Sequence, residues 1–232
     1  MIHYGQTLDL GNLKTLFQNI TILKELMVYK NLFNRLFFSL LICALYFIAF
    51  NNKQLLFLFG SIIYSLIFYE VFKYFNKYFK FILFYVILSY FCFILYFLIF
   101  FDKLIFNIFV FTIILFDSFS YLSGKFFGKN FIFKLISPKK TLEGYLGGIL
   151  FTNFFLITFF FLLQLEFNII KLIIILNLII LISIIGDLIE SYFKRKNNIK
   201  DSSQYLPGHG GFFDRFDSFI ASIIFLTIFS LI

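Results

Sequence analysis

Apolar runs of bilayer length dominate this chain. Seven stretches are built almost wholly from Phe, Leu, Ile, Val and Tyr: Leu36–Phe50, Leu55–Phe72, Phe81–Phe101, Leu104–Leu122, Tyr145–Leu165, Ile169–Ile189 and Phe213–Ile232. A membrane-crossing helix needs roughly 20 apolar residues, and several of these runs reach that length. They are continuous rather than alternating, which argues against a barrel. Of the 232 residues 61% are hydrophobic and 14% charged, more apolar surface than a soluble domain of this size needs. The expected fold class is therefore all-α: a polytopic transmembrane helix bundle of about seven spans. Cys43 and Cys92 both lie inside apolar runs, which leaves no zinc site and makes a disulfide an unexpected pairing.

Charge sets the topology. The 20 Lys and Arg residues fall before the first span and in the six connections between spans in the alternation 4, 1, 3, 1, 5, 1, 5. That pattern fits the positive-inside rule for seven spans with a cytoplasmic N-terminus and the C-terminus outside. Residues 1–35 then form an N-terminal cytoplasmic or interfacial segment, with Ile20, Leu23, Leu26 and Met27 on one helical face. Residues 36–232 form the transmembrane domain. Its two long loops, 123–144 and 192–212, face the cytoplasm. No cleavable signal peptide is visible, and the first apolar run would act as an uncleaved anchor.

Ionisable groups at span ends are costly and tend to be functional. Asp117 interrupts the fourth run. Asp187, Glu190 and Ser191 close the sixth at helical spacing i, i+3, i+4, and Asp214, Asp217 and Ser218 open the seventh with the same spacing, Arg215 lying off that face. Carboxylates gathered at one membrane depth repel unless a cation neutralises them. Oxygen ligands suit Mg²⁺, which takes substrate phosphates as further ligands. Helix capping accounts for a single Asp, but poorly for four at three span ends. Ser137-Pro138-Lys139-Lys140-Thr141, followed by Glu143, puts paired cations beside a helix start, an anion site made of side chains and free N–H groups. Lys194, Arg195 and Lys200 make a second basic group. Topology and anionic lipid explain these charges, though not the accompanying glycines and prolines. Gly208, Gly210 and Gly211 bracket His209, which lets the backbone approach a ligand closely. His209 reads as a phosphate contact or an orienting group rather than a metal ligand.

The run from Ser191 to Asp217, S-Y-F-K-R-x4-K-D-x-S-x2-L-P-x-H-G-G-F-x-D-R-F-D, resembles the signature of the phosphatidate cytidylyltransferases, also called CDP-diacylglycerol synthases. G-D-L-x-E-S at 186–191, S-P-K-K-T-x-E-G at 137–144 and D-x-x-x-Y-x-x-G-K-x-x-G-K at 117–129 are similar to that family too, Ser120 standing where Ala is usual. The resemblance covers the C-terminal half firmly and the N-terminal half only as a pattern of spans.

It implies transfer of CMP from CTP to phosphatidate, giving CDP-diacylglycerol and pyrophosphate in phospholipid biosynthesis. It implies Mg²⁺ on Asp217 with Asp187 and Asp214. Catalytic roles fall to Asp187, Lys194, Arg195, Lys200, Asp201, His209, Asp214, Arg215 and Asp217. Substrate contacts fall to Asp117, Ser137, Lys139, Lys140, Glu143, Ser191, Gly210, Gly211 and Ser218. The expected partners are CTP, phosphatidate and membrane lipids, with no nucleic acid; a homodimer is compatible with this reading. The expected location is the cell (inner) membrane, with the active site facing the cytoplasm. Among rivals, a CTP-dependent lipid kinase needs a base for an alcohol nucleophile and carries a different signature. CDP-alcohol phosphotransferases use a D-G-x2-A-R motif that is absent, and an anion transporter should place polar groups near the bilayer midplane.

Overall fold

The structure is a computed structural model that describes residue 37 and residues 40–164, 168–203, 205 and 210–231. The N-terminal segment 1–35, Pro207, Gly208 and His209 lie outside the described residues. Among the described residues seven helices follow one another: α1 (Leu40–Ala49), α2 (Lys53–Tyr74), α3 (Phe79–Leu95, prolonged by a π-helical turn Tyr96–Phe100), α4 (Lys103–Phe127), α5 (Leu142–Leu162), α6 (Ile169–Lys196) and α7 (Phe213–Phe229). Five of them, α2 to α6, are long and apolar enough to cross a membrane. Among the described residues there is no strand. An isolated bridge, Phe131 to Thr141, closes the 128–141 loop.

Each helix coincides with one apolar run, but two outlast theirs. α4 ends at Phe127 rather than Leu122, and α6 at Lys196 rather than Ile189. Apolar patterning reports where the lipid ends; backbone bonding continues into the polar layer, where Lys125 and then Lys194, Arg195 and Lys196 suit a helix C-terminus. The starts are set by caps. Asn52, Asp102, Thr141 and Asn168 each accept backbone N–H bonds at the head of α2, α4, α5 and α6.

Helices in lipid gain little from hiding apolar faces from one another, so close packing decides their arrangement. An aromatic core holds α2, α3 and α7 together, with Phe93, Phe97, Phe109 and Phe213 fully buried. Tyr64 and Ser89 join α2 to α3 by a short hydroxyl pair, and Ser89 Oγ donates onward to the Ile220 carbonyl of α7 at 2.8 Å. Small residues do the rest. A Cβ at Gly186 would stand 2.7 Å from both Ala221 Cβ and the Asp217 carbonyl, so α6 and α7 touch there because nothing projects. That contact sets Asp187 and Asp217 side by side.

The loops sort to two ends. Lys103 Nζ reaches Asn51 Oδ1 at 2.6 Å, and Lys53 stands over the Phe101 ring, so those two single-cation connections share one end. At the other, Asn197 accepts from the Asn76 and Lys77 backbones at 3.0 and 2.7 Å, and Arg195 Nε donates to the Ile136 carbonyl at 3.1 Å. The three cation-rich connections therefore meet on one face.

Candidate active site

A cavity of about 700 Å³ opens at that cation-rich end. Its walls come from four places. α4 gives Asp117; the loop before α5 gives Ser137, Lys139 and Lys140; α6 and the residues after it give Asp187, Ser191, Lys194, Arg195, Lys200 and Asp201; α7 gives Asp214, Arg215, Asp217 and Ser218. Fourteen sequence-selected residues thus converge. Arg215, expected off the shared face of α7, lines the cavity all the same. Gly210, Gly211 and Glu143 do not line it. The half-buried Glu143 accepts from the backbones of Lys129 and Asn130 at 3.1 Å, bracing the loop from behind.

The geometry separates carboxylates with many protein partners from carboxylates with few. Asp214 has many. Its Oδ1 takes the Lys194 ammonium at 2.7 Å, and its Oδ2 accepts from Ser202 N and Gly211 N, each at 2.8 Å. Lys194 is shared with Glu190 at 2.7 Å, so one cation bridges α6 to α7 between two carboxylates. Gly210 sits at φ +86°, a left-handed turn, and a Cβ there would collide with the Asp214 carboxylate. Asp217 is different: it is buried, and its Oδ1 accepts from the Ser218 backbone at 2.7 Å. Ser218 spends its hydroxyl on the Ser183 carbonyl of α6 at 3.3 Å.

Across the cavity Lys140 pairs with Asp187 Oδ2 at 3.0 Å and lies over the Tyr145 ring at 5.7 Å. Burial opposes the charge on Lys140, but Asp187 and Asp117 outweigh it and hold its pKa above the ordinary lysine value. Thr141 Oγ1 accepts from Gly144 N at 3.2 Å, starting α5 beside the two lysines. Lys125, Lys139 and Lys200 also line the cavity and form no ion pair among the described residues. Arg195 holds the end of α6 against the 133–137 turn, and its guanidinium still borders the cavity.

Asp117, Asp187 and Asp217, from three different helices, give the cavity oxygen donors of the kind a hard divalent cation takes. Among the described residues no three His, Cys, Asp or Glu side chains stand close enough to hold an ion unaided.

One partner of this site went unread in the sequence. Glu70, on α2, is fully buried and takes bonds from Ser202, Ser203, Phe212 and Phe213. A lone carboxylate inside the Leu55–Phe72 apolar run was the available signal.

These features define a class: a multi-pass integral membrane protein with a carboxylate- and lysine-lined cavity at one face. The chain belongs to the cytidylyltransferase family, whose sequence profile matches residues 10–232. It is 37% identical over 114 residues to a phosphatidate cytidylyltransferase of Staphylococcus aureus (strain COL), covering 49% of this chain and 44% of the relative. It is 36% identical over the same length to the enzyme of that name from Staphylococcus haemolyticus (strain JCSC1435), with the same coverage. The matched stretch thus spans less than half of those relatives.

Proposed function

We propose that this protein transfers CMP from CTP to phosphatidate, releasing pyrophosphate and leaving CDP-diacylglycerol in the membrane. The observation that carries this reading is the cavity itself: cations and oxygen donors from four segments meet at the mouth of an apolar bundle. Two polyanions must meet there. The phosphatidate phosphate has a second pKa near ~6, so it is already about dianionic at neutral pH and needs no general base. The obstacle is repulsion, and the protein answers it with position and charge.

Lys139, Lys140, Lys200 and Arg215, which line the cavity, would hold the triphosphate. Lys140 keeps its charge because Asp187 and Asp117 sit beside it. Lys194 acts at one remove, holding Asp214 and with it the turn before α7. Asp187 and Asp217, with Asp117 nearby, would hold Mg²⁺. When bound, that ion would polarise the α-phosphoryl group and offset charge on the departing pyrophosphate. The diacyl tails stay among lipid-facing Phe, Leu and Ile side chains. CTP enters from the cytoplasm at the cation-rich face of the cell membrane.

The test is direct. Purified protein is given phosphatidate and CTP, and pyrophosphate release is followed with and without Mg²⁺. Release that needs both lipid and Mg²⁺ supports the reading. No CDP-diacylglycerol under any divalent cation overturns it.

A further inference from the structure

α7 begins without a cap of its own. Its N-cap position is Phe212, whose side chain can accept nothing. A helix start leaves four N–H groups without helical partners, and a buried start needs acceptors for them. Here the acceptor comes from another helix. Glu70 of α2 takes Phe212 N on Oε1 at 2.8 Å and Phe213 N on Oε2 at 2.9 Å. The same two oxygens take the Ser203 hydroxyl at 2.6 Å and the Ser202 hydroxyl at 3.1 Å. Glu70 is 0% exposed and forms no ion pair among the described residues. Four donors and the positive end of α7 are what make its burial tolerable.

The fit is tight on every side. A Cβ at Gly211 would stand 2.6 Å from both Glu70 oxygens, so only glycine lets the chain close over the carboxylate. One turn along α2, Lys73 Nζ donates to the Tyr205 hydroxyl at 2.8 Å and gives the loop a second hold at the surface. Ser202 and Ser203 belong to the limb entering the loop, Phe212 and Phe213 to the limb leaving it. Glu70 joins the two. Asp214 repeats the stitch from within by accepting from Ser202 and Gly211.

We propose that Glu70, which lies outside every motif of the active site, is its positioning residue: it fixes the first turn of α7 and so the placement of Asp217 and Asp214. The inference rests on the proposed transfer reaction. Glu70 touches no substrate. It acts through the backbone of Phe212 and Phe213, and an error of about 1 Å at a reacting group can cost on the order of 10²-fold in rate.

Glu70→Gln is the informative change. An amide keeps one acceptor, and its NH₂ would face two of the four donors. We expect kcat to fall on the order of 10²-fold, with a smaller rise in KM for CTP, because Arg215 rides on the same turn while Lys139 and Lys140 do not. Hydrogen exchange of a peptide covering residues 210–216 should quicken, and that of α3 should not. Glu70→Asp keeps both oxygens and should recover part of kcat. Unchanged kcat in Glu70→Gln overturns the proposal. So does a loss in which kcat, KM and exchange throughout the bundle move together, since that is global unfolding. If the wild type makes no CDP-diacylglycerol, the transfer reading fails by itself; the clamp is then upheld by faster exchange of 210–216 in Glu70→Gln and refuted by unchanged exchange.

Discussion

On the loop side of α7, Glu70 and Asp214 have partners on all four carboxylate oxygens, drawn from Lys194, two serine hydroxyls and four backbone N–H groups. On the cavity side, Asp217 and Asp187 carry one described partner each, Ser218 N and the Lys140 ammonium. Asp214 and Asp217 are only three residues apart. The difference teaches that a run of similar carboxylates divides its labour: saturated oxygens hold shape, and the less saturated ones are those the proposed reaction calls on. Sequence spacing alone puts them on one helix face and cannot tell them apart.

The largest expected effect tests the cavity side. Asp217→Asn keeps shape and capping ability and removes one charge. Turnover at saturating CTP should fall about 10²-fold or more, the scale of losing one electrostatic stabiliser. The midpoint of unfolding in SDS should stay near that of the wild type. Near-normal turnover would erase the distinction between the two sides.

Asp214→Asn sharpens the contrast from the loop side. It removes charge-assisted bonds to Lys194, Ser202 and Gly211, so stability should drop by about 2 kcal/mol, read in the same titration. A variant as stable as wild type would show that the loop does not depend on this carboxylate.

Much of this was legible beforehand and some was not. The seven helices follow from seven apolar runs, because lipid leaves a backbone no alternative to internal bonding. Fourteen of the chosen site residues share one cavity, as expected of charged groups gathered at span ends and in the loops of one membrane face. The extra turns of α4 and α6 escaped because hydropathy fades before helical bonding does. The reading of Asp214 as a metal ligand beside Asp217 stays a proposal; what the sequence did not show is its protein partners. Its oxygens go to Lys194, Ser202 and Gly211, contacts between helix ends that no spacing encodes. Glu70 escaped because it stands alone, 132 residues from the first serine it binds.

Lys140→Gln should raise KM for CTP about 10-fold, the cost of one charge-assisted contact. Because Asp187 and Asp117 raise the pKa of Lys140, its charged form persists to higher pH than an exposed lysine. The KM ratio between variant and wild type should therefore hold steady from neutrality to about pH 10, where ordinary lysines titrate. A ratio that collapses below pH 9 would place the effect elsewhere, and an unchanged KM would assign this lysine to topology.

The smallest effect belongs to Ser203→Ala. It leaves Glu70 Oε1 its backbone donor, Phe212 N, so the loss should be about 1 kcal/mol in stability, with kcat nearly unchanged. A drop in kcat as large as that of Glu70→Gln would mean that the serine hydroxyl, rather than the cap on α7, is what matters.

The central claim is that the cavity passes the α-phosphoryl group of CTP, with its nucleoside, to a lipid phosphate. CTP labelled separately at the α- and γ-phosphates, incubated with the purified protein, phosphatidate and Mg²⁺, reports this directly. The account predicts the α label in the lipid and the γ label in pyrophosphate, in equal amounts. The γ label in the lipid, with CDP left in solution, would make the protein a lipid kinase and contradict it.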